Sequence, residues 1–186
     1  MKLYKFRSFE NLEFVLDIIL NERLYCAHFS GLNDPFEGIY LAVSHYPPVF
    51  LQRLGTQRID RKSVCELSEV YETSLFNRIC SLSASIEDTR LWAHYADGHR
   101  GIAIEIDFSG NEDDLKLVRY PPKLKRYSNT ILGTPFPDEI LSQKTPHWEH
   151  EKEFRIMQSE PYYPVSGRIS GIYLGLRISD QRMTLW

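Results

Sequence analysis

Apolar positions in this chain recur with a period of two in some stretches and close to 3.6 in others, and the switches between the two mark out short elements. Leu3, Tyr4 and Phe6 bracket Lys5 and Arg7 in a strand-like opening. Ser8 or Asn11 can cap the helix that Leu12, Val15, Leu16 and Ile19 predict by their spacing. Residues 24–29 read as a second strand. It is closed by Ser30-Gly31-Leu32-Asn33-Asp34-Pro35-Phe36-Glu37-Gly38, whose Gly, Asn-Asp and Pro content makes an ordered turn. Between 59 and 77, the spacing of Val64, Leu67, Val70, Tyr71 and Leu75 predicts a second helix. A strand at 79–83, a short helix at 88–95 and a strand at 101–106 entered by a glycine turn follow, and 115–120 is expected to pair with the last of these. A turn-rich segment from 121 to 146 precedes an acidic strand, and 169–176 forms the final strand. Regular βαβ alternation is missing, which predicts an α+β domain over residues 1–186 on a mixed, mostly antiparallel sheet, with its active surface in a cleft between sheets. No repeat, low-complexity tract or interdomain linker interrupts it.

The most informative stretch is Trp148-Glu149-His150-Glu151-Lys152-Glu153-Phe154-Arg155-Ile156-Met157. As a strand it places His147, Glu149, Glu151, Glu153 and Arg155 on one side, with Trp148, Phe154 and Ile156 taking part in burial. Folding does not ask for stacked carboxylates. Where solvent is partly excluded, at least one should have a raised pKa, which suits a site that handles a developing cation or moves a proton. As the last turn of a helix, the same residues make Glu149 and Glu153 an ordinary solvated i,i+4 pair.

With 186 residues, 42% apolar and 13% aromatic, the chain can bury one sizeable core, so roughly one domain is expected. The formal charge of -3, from 25 acidic and 22 basic residues, supplies no global pull toward nucleic acid or an anionic membrane. Any polyanion site must therefore be local, and the richest local run holds Arg119, Lys123, Lys125 and Arg126 around Tyr120-Pro121-Pro122. The three cysteines, Cys26, Cys65 and Cys80, are widely spaced and odd in number, which suits a reducing cytoplasm. The opening residues lack the apolar core of an export signal. The longest apolar run is far short of a bilayer span, so neither an anchor nor a membrane partner is expected.

Several chemistries compete. His94 and His99, or His147 and His150, could join Asp34, Glu37 or Glu105 around a metal, although no His-x3-His or Cys-x2-Cys pair is present. Cys80 could act as a nucleophile with a later His, against the commoner case of a buried structural thiol. Gly98-His99-Arg100-Gly101 carries no Gly-x-Gly-x-x-Gly or Walker pattern and reads as a turn into the following strand. The loop at Asn33-Asp34-Pro35-Phe36-Glu37-Gly38 offers polar groups, but Asn and Asp before Pro also build local side-chain to backbone bonds.

Four motifs occur in order: Leu3-Tyr4-Lys5-Phe6-Arg7, then Asn33-Asp34-Pro35-Phe36-Glu37, then Leu91-Trp92-Ala93-His94-Tyr95 with Gly101 following, and finally Trp148-x-x-Glu151-x-Glu153-Phe154-Arg155. Together they resemble the bacterial family catalogued as domain of unknown function 2971 over nearly the whole chain. Members of that family usually continue past the position of Trp186, so the resemblance implies that this chain lacks a terminal helix and strand that they carry. The order of polar motifs is also similar to the arginine, serine, glutamate class of ADP-ribosyltransferases: Arg7 on the first strand, serines at 81 to 85, and Glu151-x-Glu153. Ser81-Leu82-Ser83 stands where that class has Ser-Thr-Ser.

That resemblance implies NAD as substrate. Arg7 would grip its pyrophosphate, and Ser83 or Ser81 would orient the nicotinamide ribose. Glu153 would bond the ribose hydroxyl and stabilise the cation formed as nicotinamide leaves. Glu151 would bind or activate the acceptor, and Trp92, Tyr95 or Trp148 could stack on a ring. The product would be an ADP-ribosyltransferase or NAD glycohydrolase, a toxin or phage-defence effector. Its acceptor, protein or nucleic acid, would be set by loop shape rather than by the carboxylates. The rival enzyme is a metal-dependent nuclease or phosphoesterase using Asp34, Glu37, Glu105, Glu151 and His94, which needs carboxylates converging about 4 Å from a common ion. A third reading is a non-enzymatic nucleotide-binding or interaction module in which Glu151 and Arg155 simply pair.

Overall fold

The computed structural model describes residues 1–34, 36–44, 64–69, 78–123, 126–128 and 137–179. Its centre is a sheet that divides in two. In one half, β1 (Lys2–Arg7) pairs with β7 (Ile102–Asp107) over six positions, from Lys2 opposite Asp107 to Arg7 opposite Ile102. The outer edge of β7 carries β12 (Ile169–Leu174). In the other half, β6 (Arg78–Ser83) pairs with β10 (Glu153–Gln158) over six positions, and β10 carries β8 (Leu115–Leu117). The halves meet at one register position, Tyr4 opposite Ser83. Beyond it the two strands part, and the free edge of β6 is taken up at Ile79 by Ala27 of the two-residue β3 (Ala27–His28). Lys5 Nζ reaches across the gap to the Ser81 carbonyl at 2.7 Å, supplying a donor where the ladder has stopped.

Each face of the sheet is covered by one helix. In α1 (Leu12–Leu20), Val15 and Ile18 pack on a core of Leu3, Leu82, Ile102, Ile104, Ile106 and Ile156. Of the four positions whose spacing predicts this helix, only Val15 is fully buried; Leu12 and Leu16 are exposed. On the opposite face, Asp88 caps α2 (Thr89–Tyr95) by accepting the Arg90 N–H at 2.9 Å, and Leu91 and Trp92 pack against Phe6, Ala96 and Ala103. Alternation along β1 assigns the faces: Leu3 points to the α1 core and Phe6 to the α2 cluster.

The fold is α+β with a predominantly antiparallel sheet, in line with the sequence pattern, but several elements depart from it. The strand at 24–29 is broken into β2 (Arg23–Tyr25) and β3, and Phe29–Gly31 continues as a 3-10 turn. The helix predicted over 59–77 is not what the described part of that range forms. Residues Val64–Glu69 are β5, paired along its whole length with β4 (Ile39–Ser44), which runs parallel to β9 (Arg126–Ser128). Six cross-strand positions outweigh a loose helical period; residues 59–63 and 70–77 lie outside the described residues. Strand β8 pairs with β10 rather than with β7, whose two edges are already filled by β1 and β12. The turn-rich segment contributes the single-turn α3 (Pro137–Ile140), and β11 (Tyr162–Pro164) pairs with β2.

The acidic segment is corrected too. Pro146–Glu151 is a 3-10 helix with proline in its first turn, where a missing N–H costs nothing. Lys152 then takes a left-handed φ of 45°, and the strand begins at Glu153. Glu149 is exposed on the helix, while Glu151 and Glu153 are buried. Among the described residues, no helix is long and apolar enough to cross a membrane.

Candidate functional site

The parting of β1 from β6 opens a cavity of about 540 Å³. Its walls include consecutive residues of both strands, Tyr4 to Arg7 and Ser81 to Ser83. A continuous sheet would show only alternate residues on one side; the gap exposes both sets. Along β6 the cavity runs from Ser83 to Ile79, a rise of about 13 Å. Helix α2 adds Leu91, His94 and Tyr95, and α1 adds Phe14 and Ile18.

One wall is a buried charge cluster. Alternation along β10 sends Glu153 and Arg155 to the same side, opposite Ser83 and Ser81. Arg155 is fully buried; its Nε donates to Glu153 Oε1 at 2.7 Å and its Nη1 to the Leu141 carbonyl at 2.6 Å, and its Nη2 lies 2.9 Å from Glu37 Oε1. Lys144 enters from the segment after α3, its backbone held by a bond from Lys144 N–H to the Arg119 carbonyl at 3.0 Å. Its ammonium sits 2.7 Å from Glu151 Oε2, 3.1 Å from Glu153 Oε2 and 3.3 Å from Glu37 Oε1. Three carboxylates thus face two cations away from water, a balance of one negative charge. Buried charges persist only when paired in this way.

The ionisation of each member follows from its neighbours. Burial pushes the Glu153 carboxyl up, but Arg155 and Lys144 outweigh it and hold the group at about 2. For Glu37 burial wins: its carboxyl is raised despite the same two cations, and its Oε2 is buried with no partner among the described residues. Burial alone would lower Lys144 and Arg155, yet the surrounding carboxylates raise both. Tyr95 donates its hydroxyl to Glu151 Oε1 at 2.7 Å, and burial followed by the Glu151 charge raises its pKa. The Tyr120 hydroxyl accepts the Glu153 N–H at 2.9 Å, and burial lifts it to about 12.

The facing edge carries Arg7 and Lys5. Arg7 makes no ion pair with a described residue, its Nε is buried without a partner, and burial depresses its pKa. Lys5 is likewise lowered by burial and donates to a carbonyl rather than to a carboxylate. The cavity therefore presents Arg7, with no carboxylate partner among the described residues, on one side and the carboxylate cluster on the other.

Six of the residues assigned to NAD chemistry from sequence line this cavity together, Arg7, Ser81, Ser83, Tyr95, Glu151 and Glu153, and Glu37 and His94 of the metal reading line it as well. Ser83, however, is turned to the backbone. Its hydroxyl donates to the Glu151 carbonyl at 2.6 Å and accepts the Ser85 N–H at 3.0 Å, so it fixes the carboxylate-bearing turn rather than facing a ligand. Trp92 does not join them. It is core, its Nε1 donating to the Ile86 carbonyl at 2.7 Å and its ring lying edge-on to Phe6 and flat against His99. Trp148 lies under Lys144, whose Nζ is 4.8 Å from the ring centre, and beside His94 at 6.0 Å.

The metal arrangement is not assembled. Among the described residues, no group of three His, Cys, Asp or Glu is placed to hold an ion, and the point where Glu37, Glu151 and Glu153 converge is filled by the Lys144 ammonium. Glu105 belongs to a separate network, accepting from Lys2 and Ser170 at 2.7 Å each and from Tyr4 and Tyr173. Asp34 is buried and tied to structure, accepting the Phe36 N–H at 3.0 Å and the Thr145 hydroxyl at 3.5 Å. The bond with Cys26, with the charges of Lys5 and Arg7, brings the Cys80 thiol down to about 6, but Cys80 and Cys26 are buried and outside the cavity lining, so no substrate-facing nucleophile is presented there. In the basic run, Lys125 lies outside the described residues, while Arg119 and Lys123 are exposed and do not line the cavity.

Sequence reading missed Lys144 as the hub of the cluster, Tyr120, and Arg155 as more than a cross-strand partner. Only the proline after Thr145 marks the turn that carries Lys144 inward. The glycine turn has a positional role: a Cβ on Gly101 would lie 2.1 Å from the Arg7 carbonyl, so its lack of a side chain lets the end of β1, with Arg7, lie close. The chain matches no protein-family model, no curated protein and no solved structure.

Proposed function

We propose that this protein cleaves the nicotinamide–ribose bond of NAD and passes ADP-ribose to an acceptor or to water, as an ADP-ribosyltransferase or NAD glycohydrolase. The observation that carries this reading is the gathering of Arg7, Ser81, Glu151 and Glu153 around one cavity with opposed charge on its two sides. NAD offers a matching asymmetry, an anionic pyrophosphate and a ribose that turns cationic as nicotinamide departs. A volume of about 540 Å³ falls within the range of small-molecule sites. Arg7 would take the pyrophosphate through charge-assisted bonds. Glu153, ionised at any physiological pH, would supply fixed negative charge to the oxocarbenium-like transition state. Ser81, in the cavity wall, would orient the ribose, and Ser83 would act through the Glu151 carbonyl it holds.

The resemblance to the arginine, serine, glutamate class and to the domain-of-unknown-function family belongs to the same proposal. So do a cytoplasmic setting and a toxin or phage-defence role. The test is nicotinamide release from NAD by purified protein, with and without lysate as acceptor source, for wild type and Glu153→Gln. Release that falls by about 10²–10³-fold in a folded variant supports the reading. A wild type that binds NAD and releases nothing would identify a binding module, and one that neither binds nor cleaves NAD would remove the proposal.

A further inference from the structure

Two of the three carboxylates of the cluster have both oxygens engaged. Glu153 receives Arg155 on one oxygen and both Arg155 and Lys144 on the other, and Glu151 receives the Tyr95 hydroxyl and Lys144. A carboxylate held this way can stabilise charge but is a poor proton acceptor, because protonation must break bonds to buried cations. The acceptor nucleophile must nevertheless lose a proton on transfer. Of the other acidic groups in the cavity wall, Asp17 is held by Arg23 at 2.7 Å; Glu37 keeps Oε2 without a described partner, but that oxygen is buried and its Oε1 is shared by Arg155 and Lys144.

His94 is different in kind. It is the one imidazole lining the cavity among the described residues, it is exposed, and no described residue hydrogen-bonds its ring. It is held by packing alone: the Tyr95 ring lies 6.2 Å away on its own helix, and Trp148 lies 6.0 Å away on the 3-10 helix. The charged and titratable groups around it can be followed element by element. Trp148 is backed by Lys144 over its face and by His150 stacked at 6.2 Å. On α2, Arg90, one turn earlier, is tied to Asp88 at 2.6 Å. Lys5 and Arg7 from β1, and Glu37, Glu151 and Glu153, share the cavity with it. His94 therefore stands at the cavity wall with both ring nitrogens unclaimed by described residues, separated from the Lys144 hub by a single indole.

We infer that His94 is the general base of the transfer, taking the proton of the acceptor nucleophile as it attacks; the inference rests on the NAD-cleaving reading above. With water as acceptor, the bond between ribose C1′ and the nicotinamide nitrogen breaks and its electron pair leaves with nicotinamide. A lone pair of the water oxygen forms the new bond to C1′, and one water proton passes to an unprotonated ring nitrogen of His94, which returns it to solvent. Imidazole is the side chain suited to exchanging a proton near neutral pH.

The experiment is nicotinamide release from NAD across pH 5 to 9 by wild type and His94→Gln, with NAD binding followed by tryptophan fluorescence. Wild type should lose rate on the acid side of the range as the base becomes protonated. His94→Gln should lose about 10²–10⁴-fold in kcat, lose that acid limb, and bind NAD within about twofold of wild type. Free imidazole should restore part of the activity of His94→Ala. A variant that keeps the wild-type rate and pH profile overturns the inference while leaving NAD cleavage standing. A wild type with no release at any pH overturns both.

Discussion

Replacing Lys144 with Met keeps a side chain of similar length in the same buried position but takes one of two cations from among three carboxylates. In the native cluster the carboxyls of Glu37, Glu151 and Glu153 share Lys144 and Arg155; in the variant only Arg155 remains. Removing one partner of a buried ionic group costs about 3–5 kcal/mol, because the remaining charges stay desolvated. For a chain of this size, each kcal/mol moves Tm by about 2–4 °C, so the expected loss is on the order of 10 °C at pH 7. The pH dependence has a definite sign. Glu153 sits at about 2 in the folded protein against 4.5 as an ordinary carboxyl, so its pairing stabilises the fold fully above pH 4.5 and is lost as pH falls toward 2. Without Lys144 that depression is smaller, so the wild-type advantage should be largest above pH 4.5 and should close as the solution is acidified. Thermal and guanidinium unfolding followed by circular dichroism at pH 3 to 8 would measure both. A variant melting within about 2 °C of wild type at pH 7, or a gap independent of pH, would refute the account of the cluster as a mutually dependent unit.

Two further substitutions separate positioning from packing. Gly101→Ala should cost about 1–3 kcal/mol, since its Cβ meets the Arg7 carbonyl at 2.1 Å, and isothermal titration with NAD should show weakened binding in the folded protein because the end of β1 must shift. Trp92→Ala should destabilise by about 3–5 kcal/mol in chemical denaturation through loss of its core contacts with Phe6 and His99, yet leave the NAD affinity of the folded fraction within about twofold.

Legibility varied with how local the determining physics is. The helix at α2 could be read because Asp88 caps it two residues from the N–H it accepts, and β7 because its run 102–106, apolar except for Glu105, is buried throughout and so needs no single-face alternation. The segment 64–69 could not, because its strand form is imposed by pairing with β4, twenty to thirty positions earlier. The acidic stretch was half legible. Its charges marked the site, but the proline-started 3-10 helix and the left-handed Lys152 decide that Glu151 and Glu153 arrive from different elements rather than from one strand face.

The sequence by itself determined the class of the fold, most of its strands, and the residue types at the cavity, since burial period, caps and turn chemistry act over a few residues. Tertiary structure decided that β1 and β6 touch at a single position and then part, which makes the cavity, and that Lys144 enters it as the common partner of Glu37, Glu151 and Glu153. These outcomes depend on which strand edges are already occupied and on charge balance among residues more than a hundred positions apart, such as Glu37 and Arg155, and neither quantity is encoded in any one stretch of chain.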